Sequence, residues 1–332
     1  MKITKIIFYI ILILFNNIKI AYSDDFNSWL VSFKEYALNE GISKKTLDST
    51  MSKVKFLPKV IEYDRYQPEF YEDTKTYVTK RTSVDKLKKG KKLFFKNNTL
   101  ILEVESKYNV EKELLLSLMG IETNFGNYLG KMDILSSLAT LSYDKRRSKF
   151  FTKELIIILK LIDNGIIDKN VLYGSWAGAF GNFQFMPSTI QNYALDYNKD
   201  KLIDLKSPED SFASAANYIN KLGWKNNEPC FYKIKLKEDI PIKYLNTSAK
   251  KIKNKKKIKY FKKYILNYDK LGVNDNLIVG IITPDREIVE NSKLFEPAYL
   301  TFDNYELVLK WNRSLRFALA VCTLKDYFKN EL

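Results

Sequence analysis

"LLLSLMGIETNFG", Leu114–Gly126, is apolar for most of its length and then places a carboxylate, Glu122, where the pattern asks for a leucine. Leu115, Met119 and Glu122 are spaced by four and three, so on a helix they share one face. A glutamate on an apolar face loses hydration when it ionises, and its pKa is expected to rise from the ordinary value of about 4.3. A neutral carboxylic acid of this kind is suited to donate a proton to a leaving oxygen. The competing reading is a frayed helix end with Glu122 turned to water.

The rest of the chain narrows the chemistry available to that acid. It has 332 residues and 45% hydrophobic content, enough for a large core or two to three lobes. It has no histidine, which excludes Ser-His-Asp and Cys-His catalysis and ordinary zinc sites. Cys230 and Cys322 are the two cysteines; a disulfide and a pair of packed thiols are equally open readings. Residues 1–23 combine Lys2 and Lys5, the apolar run "IIFYIILILF" and the small residues of "AYS", a secretory signal pattern without a cysteine for a lipid anchor. An uncleaved membrane anchor is the competing reading. The net charge is +16, and nine lysines crowd into "KKIKNKKKIKYFKK" (Lys250–Lys263). In an exported chain this reads as a solvated face first and a polyanion contact second.

The periodicity predicts helices through most of the first 227 residues and strands in "CFYKIKL", "LIVGIIT" and "PAYLTFDN". One closing apolar helix is expected over "YELVLKWNRSLRFALAVCTLKDYF". The boundaries are a signal segment at 1–23, a helical lobe at 24–100, a catalytic core at 101–227, a small strand-containing lobe at 228–303 and a returning helix at 304–332.

Seven blocks, in order, are "DRYQPEF", "GIETNFG", "LATLSYDKRRSKFF", "GSWAGAFGNFQFMPS", "DYNKDKLIDL", "ANYINKLGW" and "KWNRSLRFALAV". Together they resemble the lytic murein transglycosylase B family over most of the mature chain. The resemblance implies a mainly α (α+β) fold with a lysozyme-like core. It implies cleavage of the β-1,4 bond between N-acetylmuramic acid and N-acetylglucosamine in peptidoglycan, with one catalytic carboxylate, Glu122. The muramyl 6-hydroxyl would then close a 1,6-anhydro ring. No cofactor is implied for the chemistry. Ser175 would hydrogen-bond near Glu122 or the acetamido group; Gln184 and Phe185 would line the sugar groove; Tyr218 would aim its hydroxyl at the acid. Glycines 174, 178 and 181 would let the backbone approach the substrate. Arg146 and Arg147 would meet stem-peptide or lactyl carboxylates, and Asn312 would face substrate. Without the resemblance, Ser175 is a turn serine, Tyr218 is core, and the arginines pair with Asp144 or Glu154. Phe125, Phe183 and Trp224 could stack on sugars, though core packing is the commoner use.

The loop "DYNKDKLID" matches the start of a calcium-binding loop, with Asp196, Asn198, Asp200 and the Leu202 carbonyl as ligands and Asp210 as the carboxylate the family's loop suggests. Lys201 stands where glycine is usual, and Ser207 where a bidentate glutamate is usual. A weak structural calcium ion and an acidic turn without one both remain open. Peptidoglycan strands are the expected partner, with other cell-wall enzymes as further candidates, in a monomeric periplasmic protein that does not bind nucleic acid. The rival functions are a hydrolytic muramidase, a non-catalytic peptidoglycan scaffold and a basic nucleic-acid binder.

Overall fold

The computed structural model describes residues 25–66, 72–286, 289 and 293–332. The expected signal segment and the "QPEF" half of the first block lie outside the described residues. The fold is mainly helical. Helix α1 spans 25–39 and stops at Gly41, whose φ of +87° favours glycine. Then follow α2 (Lys44–Thr50), α3 (Pro58–Arg65), α4 (Thr74–Arg81), α5 (Val84–Lys96), α6 (Asn98–Tyr108) and α7 (Lys112–Thr123). A two-stranded ribbon of β1 (Met132–Asp133) and β2 (Tyr173–Gly174) brackets α8 (Ile134–Tyr143) and α9 (Ser148–Asp163). The helical part continues through α10 (Pro187–Tyr193) and α11 (Pro208–Leu222). Ser43, Asp73, Ser83, Asp133 and Ser207 each accept a backbone N–H three residues on, fixing where α2, α4, α5, α8 and α11 begin.

Helix α7 is buried on nearly every face. Leu114, Leu115, Leu116 and Leu118 are fully enclosed, each burial stabilising by roughly 1.5–3 kcal/mol. The apolar core around it is continuous from Phe26 to Phe328. A Cβ on Gly120 would stand 2.7 Å from the Phe125 ring, so glycine permits the close packing there.

The small lobe has its own apolar cluster, from Ile234 to Phe302. Its strands are β3 (Phe231–Ile234), β4 (Leu245–Asn246), β5 (Lys256–Lys257), β6 (Ile278–Ile282) and β7 (Ala298–Thr301), with the short α12 (Ile258–Phe261) after β5. The sheet order is β3-β7-β6-β4, with β4 parallel to β6 and β5 antiparallel to β6. Two seams fasten this lobe to the helices. Cys230 and Cys322 are disulfide-bonded, with Cα atoms 6.1 Å apart, which decides between the two cysteine readings. Buried Asp285 accepts from the Thr74 N–H (2.9 Å) and from Arg316 (2.8 Å).

The single closing helix is corrected to two, α13 (Asp303–Trp311) and α14 (Leu315–Lys329). Asn312 turns extended at the end of α13, and Ser314 caps α14 by accepting from the Phe317 N–H. Helical periodicity alone carries no signal for a break this short. The break matters because it leaves Trp311 at a helix end, beside Glu122.

Candidate active site

Glu122 is half-buried in the last turn of α7, one residue before its end. Asn124, Phe125 and Gly126 all take positive φ (50°, 60°, 79°), so the chain reverses at once. The Asn124 and Phe125 N–H groups donate back to Gly120 and Met119, closing the helix. Thr123, fully buried, donates its hydroxyl to the Asn182 carbonyl (2.8 Å) and accepts from the Gly126 N–H (3.0 Å). "ETNFG" is therefore a terminator that pins the acid-bearing helix to the glycine-rich turn. Phe125 is its apolar plug, packed edge-on against Phe328.

The carboxylate itself accepts a hydrogen bond from the Trp311 indole N–H at 3.0 Å. Trp311 stacks on Tyr218 (5.1 Å between ring centroids), which stacks on Tyr193 (4.3 Å). Phe185 closes edge-on against both Trp311 and Tyr218. An aromatic array thus leads away from the acid. Other carboxylates near in sequence are engaged elsewhere. Glu111 accepts from Trp224, Glu113 pairs with Lys112, and Glu154 accepts from the Ser188 N–H.

The expected site residues fall into three groups. Ser175 and Gln184 lie in the turn joined to α7 through Asn182. Ser175 accepts from the Ala179 N–H (3.0 Å), and the Gln184 amide donates to Leu129 and Gly181 carbonyls. Asn312 is half-buried, one residue past Trp311. Asn182 joins the turn of the first two to α7, and Asn312 follows the residue that bonds the acid. A second group sits there in another role. Phe185 is 3% exposed and supports the aromatic array instead of offering a face to sugar. The Tyr218 hydroxyl donates to the Lys310 carbonyl (3.4 Å), so Trp311, not Tyr218, supplies the donor to Glu122. Burial, with Tyr193 adding to it, raises the Tyr218 pKa. Phe125, Phe183 and Trp224 are core. Gly178 and Gly181 have positive φ, and their close neighbours are Leu138 and Leu205, so the near approach is to the protein.

The third group is explained by other contacts. Arg146 and Arg147 both bind the buried carboxylate of Asp64 on α3, Arg146 through Nε at 2.7 Å. They fasten α3 to the loop between α8 and α9. Asp64 is about eighty residues from them in sequence, outside the reach of the local pairing considered from sequence.

In the acidic loop, Asp196 accepts from the N–H groups of Asp200 and Lys201, and Asp200 from Leu202. Lys201 adopts the left-handed φ of +77° that glycine would favour. Asn198 accepts from Asp200. Asp210 is fully buried and accepts from Tyr197 (2.7 Å) and Asp204 (2.8 Å). Burial pushes its pKa up, against the pull of those backbone bonds. Among the described residues no three carboxylate or cysteine side chains gather as a metal cluster. These oxygens accept backbone amides, so the loop is organised as turns.

A cavity of about 690 Å³ between α4, β3, β7 and α14 is separate from this site, its walls including Thr74, Asp285 and Tyr299.

The family profile described as Transglycosylase SLT domain matches residues 25–326. Membrane-bound lytic murein transglycosylase B of Escherichia coli K12 is 42% identical over 118 residues, 35% of this chain and 33% of that protein, so the aligned stretch spans about a third of the relative. The crystal structure of SltB3 from Pseudomonas aeruginosa in complex with NAG-NAM-pentapeptide superposes with a TM-score of 0.78 at 29% identity, covering 92% of this chain and 79% of that one. Escherichia coli Slt35 in complex with calcium superposes at 0.73 with 24% identity, covering 91% and 93%, a likeness of fold.

Proposed function

The chain belongs to the Transglycosylase SLT domain family, and on that premise we propose that it is a peptidoglycan lytic transglycosylase with Glu122 as acid and then base. The observation that carries this reading is Glu122 at the end of a buried helix, gripped by Trp311, with the neighbouring carboxylates engaged elsewhere. Protonated Glu122 gives its proton to the glycosidic oxygen between N-acetylmuramic acid and N-acetylglucosamine, and that bond breaks. The muramyl acetamido group takes the part of a second carboxylate at the anomeric carbon. The glutamate, now a base, removes the proton of the muramyl 6-hydroxyl, whose oxygen closes the 1,6-anhydro ring. No water is consumed, and Glu122 ends protonated, ready for the next turnover.

Binding falls to the aromatic array and to the turn that holds Ser175 and Gln184, with Asn312 at its edge. The absence of histidine supports a carboxylate in both proton-transfer roles. Peptidoglycan strands are the partner, and the signal-like segment at 1–23 supports a periplasmic location for a monomeric enzyme. The test is the product. Purified sacculi digested with the protein should yield muropeptides with 1,6-anhydromuramic ends, one water lighter than hydrolysis products. Reducing ends alone would make the protein a hydrolytic muramidase, and no release at all a binding scaffold.

A further inference from the structure

Residues 243–263 contain ten lysines and no acid, so this short stretch supplies ten of the chain's net +16 charges. Uniform lysine bias would spread the excess; here it is concentrated. Nine of the ten lysines are exposed. Lys255 alone among them is in an ion pair among the described residues, with Glu306 (2.6 Å) and Asp303 (3.5 Å). The acids nearest the remainder are few. Asp239 faces Lys263, and the Asp275 carboxylate is held by the Tyr268 hydroxyl.

A face that serves only to be solvated has no use for apolar side chains set among its charges. This one carries them. Lys257 pairs directly with Ile278 across β5 and β6, and Ile278 is 56% exposed. Directly opposed residues project on the same face of a ribbon. Leu277, beside it, is 37% exposed, and its carbonyl receives the Ile258 N–H. Tyr260, 40% exposed, lies under the ammonium groups of Lys256 (5.9 Å) and Lys263 (6.0 Å). Cations and exposed apolar groups are therefore interleaved on one ribbon.

We propose that the β5–α12 ribbon and the adjoining edge of β6 form a docking surface for an anionic phospholipid membrane. Lysines meet lipid phosphates, and Tyr260, Leu277 and Ile278 enter the boundary between headgroups and acyl chains. A soluble polyanion would use the charge and leave the apolar side chains without a partner, which is why the membrane is favoured. No helix among the described residues is long and apolar enough to cross a bilayer, so this contact is peripheral. The inference stands independently of the catalytic reading.

The experiment is vesicle co-sedimentation of the chain lacking residues 1–23, which keeps every described element. The vesicles are phosphatidylcholine alone or with 30% phosphatidylglycerol, in 0.1 M and 0.5 M salt. Binding is expected only to the anionic vesicles and should weaken strongly at high salt. Lys256→Gln, Lys257→Gln, Lys259→Gln and Lys263→Gln together should lower the partition coefficient on the order of hundredfold or more. Tyr260→Ser with Ile278→Ser leaves the charge unchanged and should lower it about tenfold. All six side chains are exposed, and thermal melts check that the fold is kept. Absence of binding to anionic vesicles overturns the proposal, as does full binding by the lysine variant. Binding unchanged by the Tyr260 and Ile278 substitutions would overturn the insertion of apolar side chains and leave a contact made by charge alone, as a soluble polyanion would make.

Discussion

Helix α7 and the β5–α12 ribbon are opposite solutions for placing charge on a protein. Around α7 the packing is dense, and a single carboxylate emerges where the helix ends. Two of the contacts that fix it come from far along the chain: Asn182 through Thr123, and Trp311 directly. The ribbon is assembled from residues close in sequence and carries many charges, and in its lysine stretch Lys255 alone is in an ion pair among the described residues. One charge held in a set geometry suits proton transfer, in which misplacement by about 1 Å is costly. Many loosely held charges suit a contact that adds small increments over an area.

The sharpest way to break this contrast is to remove the single charge. Glu122→Gln keeps the size and the hydrogen-bond acceptor but cannot donate an acid proton. Turnover on sacculi should fall by on the order of 10³-fold or more, with the melting temperature little changed. Activity near the original rate would mean that the dense core serves only packing.

The next test separates the two regions. The Cys230–Cys322 bond closes a loop with a sequence separation of 92 that contains the whole small lobe. Replacing both cysteines by alanine should lower stability by roughly 2–5 kcal/mol in chemical denaturation. Hydrogen exchange should rise first in β3 and β7 and last in α7. Equal loss in both regions would show that they unfold as one unit.

Trp311→Phe keeps the stack and deletes the N–H donor to Glu122. About a tenfold fall in kcat with little change in KM is expected, since a single donor to a charged group contributes about 1.5–3 kcal/mol. A change in KM alone would make Trp311 a binding residue and not a positioning residue.

Lys86 offers a smaller effect. Its ammonium donates to the Gly120 carbonyl (2.6 Å), and burial, with help from Arg81 and Lys89, brings its pKa down to about 8. The unfolded chain then binds more protons than the folded one between pH 8 and about 10.5, so this group makes stability rise with pH across that window. Below pH 8 its cost is fully present. Lys86→Met should flatten the rise, read as a smaller difference in denaturation midpoint between pH 7.5 and pH 9.5.

Calcium should matter least. With the loop's donors taken up by backbone amides, millimolar calcium should move the melting temperature by no more than about 2 °C, near the affinity of the weakest extracellular loops. A large saturable shift abolished by Asp200→Ala would show that the amides yield to an ion.

The sequence made the helical core, the strand lobe and Glu122 visible because each leaves a local mark. Periodicity marks the helices, β-branched runs mark β6, and an acid in an oily stretch marks the candidate site. What stayed hidden depends on distance. Trp311 sits in a block that was noticed for Asn312, and only the break between α13 and α14 brings its indole to the acid. Asp64 claims both arginines from another helix. Phe185 and Tyr218 pack against Trp311, and whether a ring faces substrate or a neighbouring ring depends on packing that no spacing encodes. The acidic loop looks like a cation site by composition, and the turns that its carboxylates make with backbone amides are not visible in that composition.

The sequence separation of 189 between Glu122 and Trp311 imposes an order of events in time. A chain emerging from a ribosome or through a translocation pore presents α7 long before the helix that covers it. Until α13 and α14 arrive, Glu122 lacks the Trp311 indole and the leucines of α7 lack the helix packed against them. The catalytic geometry therefore cannot form on a partly delivered chain. A chain assembled in this order keeps Glu122 without its indole partner until its last two helices have been delivered.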